Sequence, residues 1–505
     1  MNTIYKGSIW IMLCLGLLGC HKFLEEKSQD EIKPSTVTDL QELLMGVVYP
    51  VGSTTPDFQT YLDLMTDDMT SNFNSDPAVT VKYQQYTGPF TWQKDMYETM
   101  TAAGNLDEND TYEHYYRGIM GCNVVLEQLD KVRGDDADKG NVRGQALAMR
   151  SFFYFMLVNL YGQPYNAAGV DITTSPGVEL ILSSVVHDAY PKRASVAQIY
   201  QQVEADLLEA LPLMVQYGTN NNKFKVTELF VYTLLSRMYL YEENWAAAQK
   251  YATLALLRNS SLVKLANITI PYYDFTAPAT GVYSLNSVET IWLGYGDQLE
   301  YGHLVTPAYG LPAFCISPDL QNKYEYDANN TTNRGDLRLR FYYTWNYQDY
   351  NWDVPAIIAG CRTAVEYNGA VKGMRVAELY LNRAESIIQQ YLKNGDETLR
   401  QAALADLNYL RSYRYDTRNV AYVPVDYSGQ ALLDFCRDER RRELSFEDHR
   451  WFDLRRYGMP EIRHTFQQSA GQAAVEYVLA KGSNRYVLPI AQSVLAKNPA
   501  MVPNP

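Results

Sequence analysis

Apolar residues recur every three or four positions along most of the chain, which is the period of an amphipathic α-helix. The pattern is clear over residues 112–132, where aromatic and aliphatic side chains fall on one helical face. Residues 142–161 are apolar on nearly all sides after the first turn, and Gly162 and Pro164 follow directly. This combination predicts a buried helix that ends where the glycine and proline begin.

Later stretches continue the helical pattern. Ser195 is a suitable N-cap residue for a helix over residues 196–211, which Pro212 is predicted to end. Residues 225–257 and residues 371–413 each contain two helical segments separated by a tight turn. Small residues at the helix crossing with aromatic residues beside them are typical of tetratricopeptide-like helix pairs. The sequence thus predicts a scaffold built from helix pairs.

The stretch between those pairs, residues 260–369, has a different composition. It is rich in Gly, Pro, Asn, Tyr and Trp, and its β-prone segments are short, as at residues 290–295. Long aromatic loops in a helical protein commonly carry its functional residues. We therefore expect a mainly α-helical fold in which an irregular, loop-rich region with short strands is added to the helix-pair scaffold.

The first twenty residues are similar to a bacterial lipoprotein signal. Lys6 precedes an apolar run over residues 8–19, which is too short to span a bilayer and is typical of a secretory signal. An aliphatic and two small or apolar residues stand directly before Cys20, as in a lipobox. We expect a signal peptide over residues 1–19 and a lipidated polar tether over residues 20–35. The alternative is an ordinary signal peptide with an incidental cysteine.

The charge balance limits the classes of partner. The chain has a formal net charge of −14, and removal of the signal peptide, which contains one lysine and no acidic residue, makes this −15. Such a balance argues against binding of nucleic acid or anionic lipid through a basic face. The remaining cysteines are scattered without a CxxC pair, and we interpret them mostly as buried free thiols: Cys122, Cys315, Cys361 and Cys436.

Tyrosine is unusually frequent, with 42 tyrosines against 16 phenylalanines. A tyrosine ring offers a flat apolar face together with a hydroxyl group, which suits recognition surfaces that stay wet. The count fits carbohydrate binding, although a helical core rich in tyrosine predicts the same count.

Six stretches, in the same order, resemble the SusD/RagB family of outer-membrane nutrient-binding lipoproteins. They are residues 143–165 (RGQALAMRSFFYFMLVNLYGQPY), 193–211, 375–385 (RVAELYLNRAE), 407–411, 437–458 (RDERRRELSFEDHRWFDLRRYG) and the tail from Tyr486 onward. Asp448 stands at a position where glycine is commoner in the family. The resemblance covers residues 112–505, nearly the whole mature chain, and its strength comes from the shared order of the motifs.

The resemblance implies a SusD-like fold, with an N-terminal region over residues 36–215 and a C-terminal SusD/RagB region over residues 216–505. It also implies a cell-surface location, with the lipid anchor in the outer membrane, and a SusC-like TonB-dependent transporter as partner, over which the lipoprotein acts as a lid. The ligand class in the family is usually a glycan and occasionally a peptide. No cofactor, metal or nucleic acid is expected.

The densest group of charged residues, Arg437–Arg456, raises the question of catalysis. Glu443 and Glu447 have helical i, i+4 spacing and could form an acid–base pair. Interleaved arginine and glutamate more often form ion-pair networks, and we interpret this block as fixing the last helices to the core. The sequence contains no HExxH, Walker, nucleophile-elbow or dinucleotide motif. We therefore expect a binding protein and not an enzyme.

Candidate ligand contacts come from two stretches that correspond to the family's binding region, residues 63–92 and 284–314. Aromatic rings stack on the C–H faces of sugars, and carboxylates bind sugar hydroxyls. Trp292 is predicted to be core because it lies in an apolar strand-like segment. The candidates are Asp68, Trp92, Tyr295, Tyr301 and Tyr309, with Trp345 and Trp352 as a second aromatic platform.

Three functional hypotheses remain open at the level of sequence. The leading one is a lipoprotein that captures oligosaccharide and delivers it to the transporter. The second is a scaffold that only stabilises the transporter complex. The third is a surface glycosidase, for which Asp63, Asp67 and Asp68 could supply carboxylates.

Overall fold

The computed structural model describes residues 33–49, 59, 61–73, 77–103, 111–185, 190–219, 222–268, 282, 285–294, 313–327, 329–346, 357–359, 372–469 and 471–504. Sixteen α-helices lie within these ranges, which confirms the predicted mainly α-helical fold. In chain order they are α1 (Val37–Leu43), α2 (Tyr61–Leu64), α3 (Pro77–Phe90), α4 (Met96–Ala102), α5 (Thr111–Gln128), α6 (Asp136–Tyr161), α7 (Val196–Tyr217), α8 (Glu228–Tyr241), α9 (Trp245–Arg258), α10 (Pro318–Lys323), α11 (Arg338–Phe341), α12 (Val376–Asn394), α13 (Glu397–Arg414), α14 (Gly429–Glu443), α15 (Arg450–Arg456) and α16 (Gln492–Lys497).

Short strands join parts of the chain that are distant in sequence. All five sheets seen within the described ranges have two strands, which pair antiparallel. The pairs are β1 (Met69–Ser71) with β5 (Phe314–Ile316), β2 (Pro176–Glu179) with β3 (Arg193–Ser195), β4 (Thr290–Leu293) with β8 (Gly373–Arg375), β6 (Thr344–Asn346) with β7 (Ile357–Ala359), and β9 (Ile462–Phe466) with β10 (Val475–Leu479).

Helix α6 is the centre of the scaffold. Asp135 caps it by accepting a hydrogen bond from the backbone N–H of Asp138, so the helix begins six residues before the predicted 142–161 stretch. Every residue from Gly144 to Tyr161 is buried, as the all-round apolar pattern predicted. The helix packs against α5 on one side and α7 on the other.

The helices of the two predicted pairs are α8 with α9 and α12 with α13, and α9 in turn packs against α12. Asn244 caps α9 through a hydrogen bond from the backbone N–H of Ala247. Gly395 ends α12 in the left-handed conformation, at φ 72°, which a residue without a Cβ adopts at no steric cost. Each of the two predicted stretches therefore contains two helices separated by a short turn.

The prediction that Pro212 ends α7 is wrong, because the helix continues to Tyr217. An internal proline loses one backbone hydrogen bond and costs about 3 kcal/mol. The last turn is retained by packing on α6. A Cβ built at Gly140 would lie 2.4 Å from the ring of Tyr217, and one at Gly144 would lie 2.7 Å from the sulfur of Met214. Contact with these glycines stabilises the turn.

Two simpler expectations are also settled. Cys122, Cys315 and Cys436 are buried free thiols, as predicted, while Cys361 lies outside the described residues. Trp292 is core, with 1% of its surface exposed. Across the described parts of the chain, no helix combines the length and the apolar character needed to cross a membrane.

The charged block at Arg437–Arg456 forms a buried ion-pair network, which confirms its structural interpretation. Glu443, at the end of α14, accepts hydrogen bonds from three arginines on three other elements: Arg338 of α11, Arg375 of β8 and Arg414 of α13, at 2.5–3.0 Å. All four side chains are fully buried. Burial alone would raise the pKa of Glu443, but the three guanidinium groups hold it well below its usual range.

The supposed i, i+4 pair of Glu443 and Glu447 is not a helical pair. Helix α14 ends at Glu443, and the chain then turns through Phe446 and Asp448, both in the left-handed region at φ 57° and 60°. Both glutamates bind Arg375, with Glu447 at 2.7 Å. Their carboxylates are thus committed to an ion-pair network and do not form an acid–base pair.

Glu443→Ala is expected to lower the melting temperature sharply. It leaves three buried arginines without their shared acceptor, and loss of one partner of a buried pair costs on the order of 3–5 kcal/mol. Thermal unfolding followed by circular dichroism measures this. Glu461→Ala is the matched control, since Glu461 forms an exposed pair with Arg463, and it should barely change the melting temperature. Normal melting of Glu443→Ala with a selective loss of ligand binding would refute the structural role.

Candidate ligand-binding surface

The structure brings the two predicted ligand-binding stretches into direct contact. Strand β1 from the first stretch pairs with β5 at the end of the second, with Thr70 opposite Cys315. The pairing extends by one more hydrogen bond, from the backbone N–H of Asn72 to the carbonyl of Ala313 at 2.8 Å. Residues 63–92 and 284–314 therefore meet at one place in the fold.

The hairpin of β6 and β7 lies beside β5. Trp345 is the middle residue of β6 and pairs with Ile358 of β7, so the hairpin that contains this tryptophan adjoins the first two strands. We name the surface formed by β1, β5 and this hairpin the loop-base surface. In sequence it adjoins two stretches that contain predicted aromatic contacts, residues 295–312 and 347–356, and both stretches lie outside the described residues.

Most of the predicted aromatic contacts lie outside the described residues, namely Tyr295, Tyr301, Tyr309 and Trp352, as does the predicted lipidation site Cys20. For Trp345 the strand backbone is described and the side chain is not. The described residues that border the two stretches are Gly294, Ala313, Asn346 and Ile357.

Aromatic side chains that the sequence did not single out lie under the loop-base surface. Tyr83 of α3 contacts the ring of Phe314 at 5.3 Å and that of Phe466 at 5.0 Å, and Phe90 contacts Phe314 at 4.9 Å. Phe73, just after β1, is half-buried at the edge of this cluster and contacts Tyr83 at 5.7 Å. Ring contacts at these distances stabilise the fold by more than the burial of their apolar surface alone. The cluster therefore holds α3, β5 and β9 together beside the loop-base surface.

The predicted contact Asp68 lies in the interior, with 1% of its surface exposed. Its Oδ1 accepts from Nε of Arg441 at 2.6 Å, while Oδ2 has no hydrogen-bond partner. Burial and the neighbouring Asp67 raise the pKa of Asp68, although Arg441 opposes them. A raised pKa suits a general acid, but this carboxyl group is not accessible to a substrate in the described conformation.

The neighbouring carboxylates are also paired with cations. Asp67 binds Arg450 through two parallel hydrogen bonds of 2.7 and 2.8 Å, and the arginines hold its pKa below its usual range despite burial. Asp63 is buried and lies 3.4 Å from Nζ of Lys372. Among the described residues, no group of three or more His, Cys, Asp or Glu side chains is placed to hold a metal ion.

Trp92 is buried, with 2% of its surface exposed. Its indole N–H donates to the carbonyl of Met65 at 2.9 Å, and its ring stacks on His464 at 4.3 Å. Its backbone ends α3 in the left-handed region at φ 53°, which costs a bulky residue on the order of 1–3 kcal/mol. Packing of the indole offsets that strain, so Trp92 presents no open stacking face on the loop-base surface.

His464 is enclosed between two aromatic rings. Phe90 stacks on its other face at 4.2 Å, and its two ring nitrogens lie 2.7 Å from the carbonyl of Phe90 and 2.9 Å from that of Thr66. Burial lowers the pKa of His464, and the two carbonyl contacts offset this only in part. The histidine joins β9 to α3 and to the segment that leads into β1.

Comparison with known proteins assigns the chain to a family. A family model described as "Starch-binding associating with outer membrane" (SusD-like) matches residues 22–240, and the SusD family model matches residues 359–505. The chain belongs to the SusD/RagB family. SusD/RagB proteins are binding proteins and not enzymes, which agrees with the prediction that this chain has no catalytic activity.

Solved structures agree with the SusD/RagB fold. A SusD-like carbohydrate-binding protein from Bacteroides vulgatus has a TM-score of 0.66 and 20% identity, over 92% of this chain and 97% of that one. A SusD superfamily protein from Bacteroides thetaiotaomicron gives the same TM-score and identity over 93% and 100%. A SusD-like protein of Formosa agariphila is 22% identical over 208 residues, only 38% of each chain. Identities this low establish the fold alone.

Asp448 lies at the position where the sequence resemblance led us to expect glycine. Its φ of 60° lies in the region that favours glycine. The carboxylate of Asp448 accepts one hydrogen bond from Nζ of Lys372 and one from the side-chain amide of Gln59, each at 2.5 Å. These two contacts offset the strain of the left-handed backbone. Asp448 therefore links Gln59 to Lys372, two residues that are more than 300 positions apart in sequence.

Stability is expected to fall as the pH drops below about 6.5, the ordinary pKa of histidine. His449 and His464 are buried, and burial, together with nearby arginines for His449, lowers both pKa values. The unfolded chain therefore binds protons that the native chain does not. As the pH falls, the free energy of unfolding decreases by at most about 1.4 kcal/mol per pH unit for each histidine. Urea unfolding between pH 7.5 and 5.0 measures the slope.

His449→Gln should reduce that slope, whereas His114→Gln should leave it unchanged, since His114 lies half-buried on α5 outside the core. Stability that stays constant or rises as the pH falls through this window would contradict the lowered pKa values of His449 and His464.

Proposed function

We propose that this SusD/RagB protein is a lipid-anchored glycan-binding protein on the cell surface, which captures oligosaccharide and delivers it to a SusC-like TonB-dependent transporter in the outer membrane. The family model's description, starch-binding and associated with the outer membrane, supports the general class. The delivery step, the transporter partner and the anchor at Cys20 are parts of the proposal.

The observation that carries the proposal is the meeting of β1, β5 and the β6–β7 hairpin at the loop-base surface. In sequence, the stretch with Tyr295, Tyr301 and Tyr309 lies between β4 and β5, and the stretch with Trp352 lies between β6 and β7. A glycan needs several aromatic faces near one another, with hydroxyl, amide or charged groups between them. Two stretches that adjoin neighbouring strands in sequence can supply that combination.

The two alternatives receive less support. A glycosidase needs two accessible carboxyl groups about 5–9.5 Å apart, and Asp63, Asp67 and Asp68 are each bound to a lysine or arginine. A scaffold without ligand needs no aromatic loops at one surface. Incubation with oligosaccharides and measurement of released reducing ends tests hydrolysis directly, and the proposal predicts none.

Simultaneous replacement of Tyr295, Tyr301 and Tyr309 by alanine is expected to weaken oligosaccharide binding. Aromatic contacts contribute about 0.5–1.5 kcal/mol each beyond area burial. If two of the three rings contact ligand, the loss is roughly 1–3 kcal/mol, or about 5- to 150-fold in dissociation constant. A glycan array identifies the ligand, and isothermal titration calorimetry measures the affinity.

The matched control replaces three exposed tyrosines elsewhere, Tyr190, Tyr409 and Tyr427, and should leave affinity unchanged. Circular dichroism on both triple variants verifies that the helices are intact. Equal affinity of wild type and the Tyr295/Tyr301/Tyr309 variant would move the site away from this loop, with Trp345 and Trp352 as the next residues to replace.

Cys20→Ser is expected to abolish acylation, because the acylated thiol is absent, and to release the protein from the outer membrane. Two or more acyl chains are needed for stable anchoring. Labelled palmitate incorporation and membrane fractionation measure the effect. Cys14→Ser, six residues earlier in the signal, is the control and should keep the label. Continued labelling of Cys20→Ser in the outer-membrane fraction would show that the lipobox assignment is wrong.

A further inference from the structure

Lys372 and Asp448 bring an amine and a carboxyl group together in the interior of the protein. Nζ of Lys372 lies 2.5 Å from Oδ1 of Asp448, and the two side chains are 1% and 6% exposed. The carboxyl carbon is one bond beyond Oδ1, near the separation of roughly 3–3.5 Å from which reacting atoms form a bond. The arrangement is therefore that of an ion pair and also that of an amine placed to attack a carboxyl group.

The backbone holds both side chains in this position. Lys372 directly precedes β8, and its carbonyl accepts a hydrogen bond from the backbone N–H of Gly294 at 2.8 Å. Asp448 lies in the left-handed turn after α14, at φ 60°. Two groups held in a productive orientation react as if at concentrations of roughly 10⁵–10⁸ M. Fixed placement therefore favours even a reaction that is slow between free molecules.

The second oxygen of Asp448 is bound by an amide N–H. Nε2 of Gln59 donates to Oδ2 of Asp448 at 2.5 Å, and Oε1 of Gln59 accepts from the hydroxyl group of Tyr115 at 2.6 Å. Gln59 and Tyr115 are both fully buried, so the orientation of the amide is fixed. An N–H donor placed at this oxygen stabilises the negative charge that develops there when a nucleophile adds to the carboxyl carbon.

Asp63 supplies a carboxylate on the side of the amine. Its Oδ2 lies 3.4 Å from Nζ of Lys372, and its side chain is 4% exposed. A carboxylate in this position can take a proton from the amine and return it to a departing oxygen. Glu447 is not suited to this task, because its two oxygens accept hydrogen bonds from Arg375.

The surroundings of the pair are mainly apolar. A cavity of about 20 Å³ beside it is lined by side chains that are each at most 4% exposed: Phe152, Phe155, Met156, Trp292 and Phe452. Two further charged groups in its wall are paired, Arg237 with Glu378 and Glu447 with Arg375. Apolar surroundings disfavour the charged forms of amines and carboxyl groups. A water molecule needs roughly 10–15 Å³, so the cavity has room for one.

We propose that Lys372 and Asp448 condense to form an intramolecular isopeptide bond. One proton first passes from the ammonium group to Oδ1 of Asp448, which leaves a neutral amine beside a neutral carboxyl group. Nζ then adds to Cγ, and Asp63 takes the proton that Nζ loses and gives it to the departing hydroxyl group. One C–N bond forms, one C–O bond breaks and one water molecule leaves, without oxidation or reduction.

The product is a covalent link between β8 and the turn after α14. It joins residues 76 positions apart, and a cross-link of this kind stabilises a protein mainly by restricting its unfolded chain. The link closes a loop that contains α12, α13 and α14. It would therefore keep these helices together when the ion pairs around Glu443 are weakened.

Trypsin digestion of the full chain followed by tandem mass spectrometry tests the link. Trypsin does not cleave after a linked lysine, so residues 363–375 and 443–450 should be recovered as one branched peptide. Its mass should equal the sum of the two peptides minus one water molecule. The pair of Lys323 and Asp438 is the internal control, because it has a similar separation of 2.9 Å but is 25% and 43% exposed. It should be recovered unlinked.

Two variants test the roles of the residues. Lys372→Arg keeps the positive charge, lacks the amine and should abolish the branched peptide. Asp63→Asn keeps the size of the side chain but cannot carry the proton, and it should slow the linkage by roughly 100-fold or more. The linked fraction at a fixed time after synthesis is the readout, and circular dichroism verifies that both variants are folded.

The wild type alone is sufficient to refute the proposal. Recovery of residues 363–372 and 443–450 only as separate peptides would overturn the link, whether or not the variants fold. A branched peptide that persists in Lys372→Arg would also overturn it, and equal linkage rates in the wild type and Asp63→Asn would overturn the role of Asp63. The link is independent of oligosaccharide capture, which calorimetry measures separately.

Discussion

The carboxylate of Glu443 holds the molecule together at the point where helical scaffold and irregular region meet. Its arginine partners come from an irregular-region helix, a strand and a scaffold helix: Arg338, Arg375 and Arg414. Removing these four charged side chains from water costs free energy unless each one is paired. The contact therefore forms only when α11, β8, α13 and the end of α14 are all in place. The irregular region lacks the apolar periodicity by which a helix packs on a core. Directional ion pairs hold it in position instead.

The same charged block also fixes the loop-base surface. Arg441 and Arg450 reach Asp68 and Asp67, the two residues directly before β1. One stretch of sequence, Arg437–Arg456, therefore determines both the packing of the last helices and the position of β1. The carboxylates used in this way are unavailable for hydrolysis, which is why a dense group of acids is compatible with a protein that binds and does not catalyse.

How well the sequence predicted each feature depended on how far apart in sequence the interacting residues lie. Helices were predicted to within a few residues where local period and caps decide, as at Ser195. The prediction at Pro212 was wrong because distant glycines of α6 stabilise the next turn. The burial of Asp68 and Trp92 could not be decided from the sequence, because their partners, Arg441 and His464, lie more than 370 residues away. No local pattern contains that information.

The described residues on either side of the stretch 295–312 are held by backbone atoms. Gly294 and Ala313 are each held by a backbone hydrogen bond, to Lys372 and Asn72 respectively, at 2.8 Å. Bringing the two ends of a chain segment together costs entropy, and folding of the described residues has already overcome that cost here. Because both hydrogen bonds are made by backbone atoms, they do not depend on which side chains lie between Gly294 and Ala313. The described fold therefore places the two ends of this stretch without determining which ligand its aromatic residues would bind.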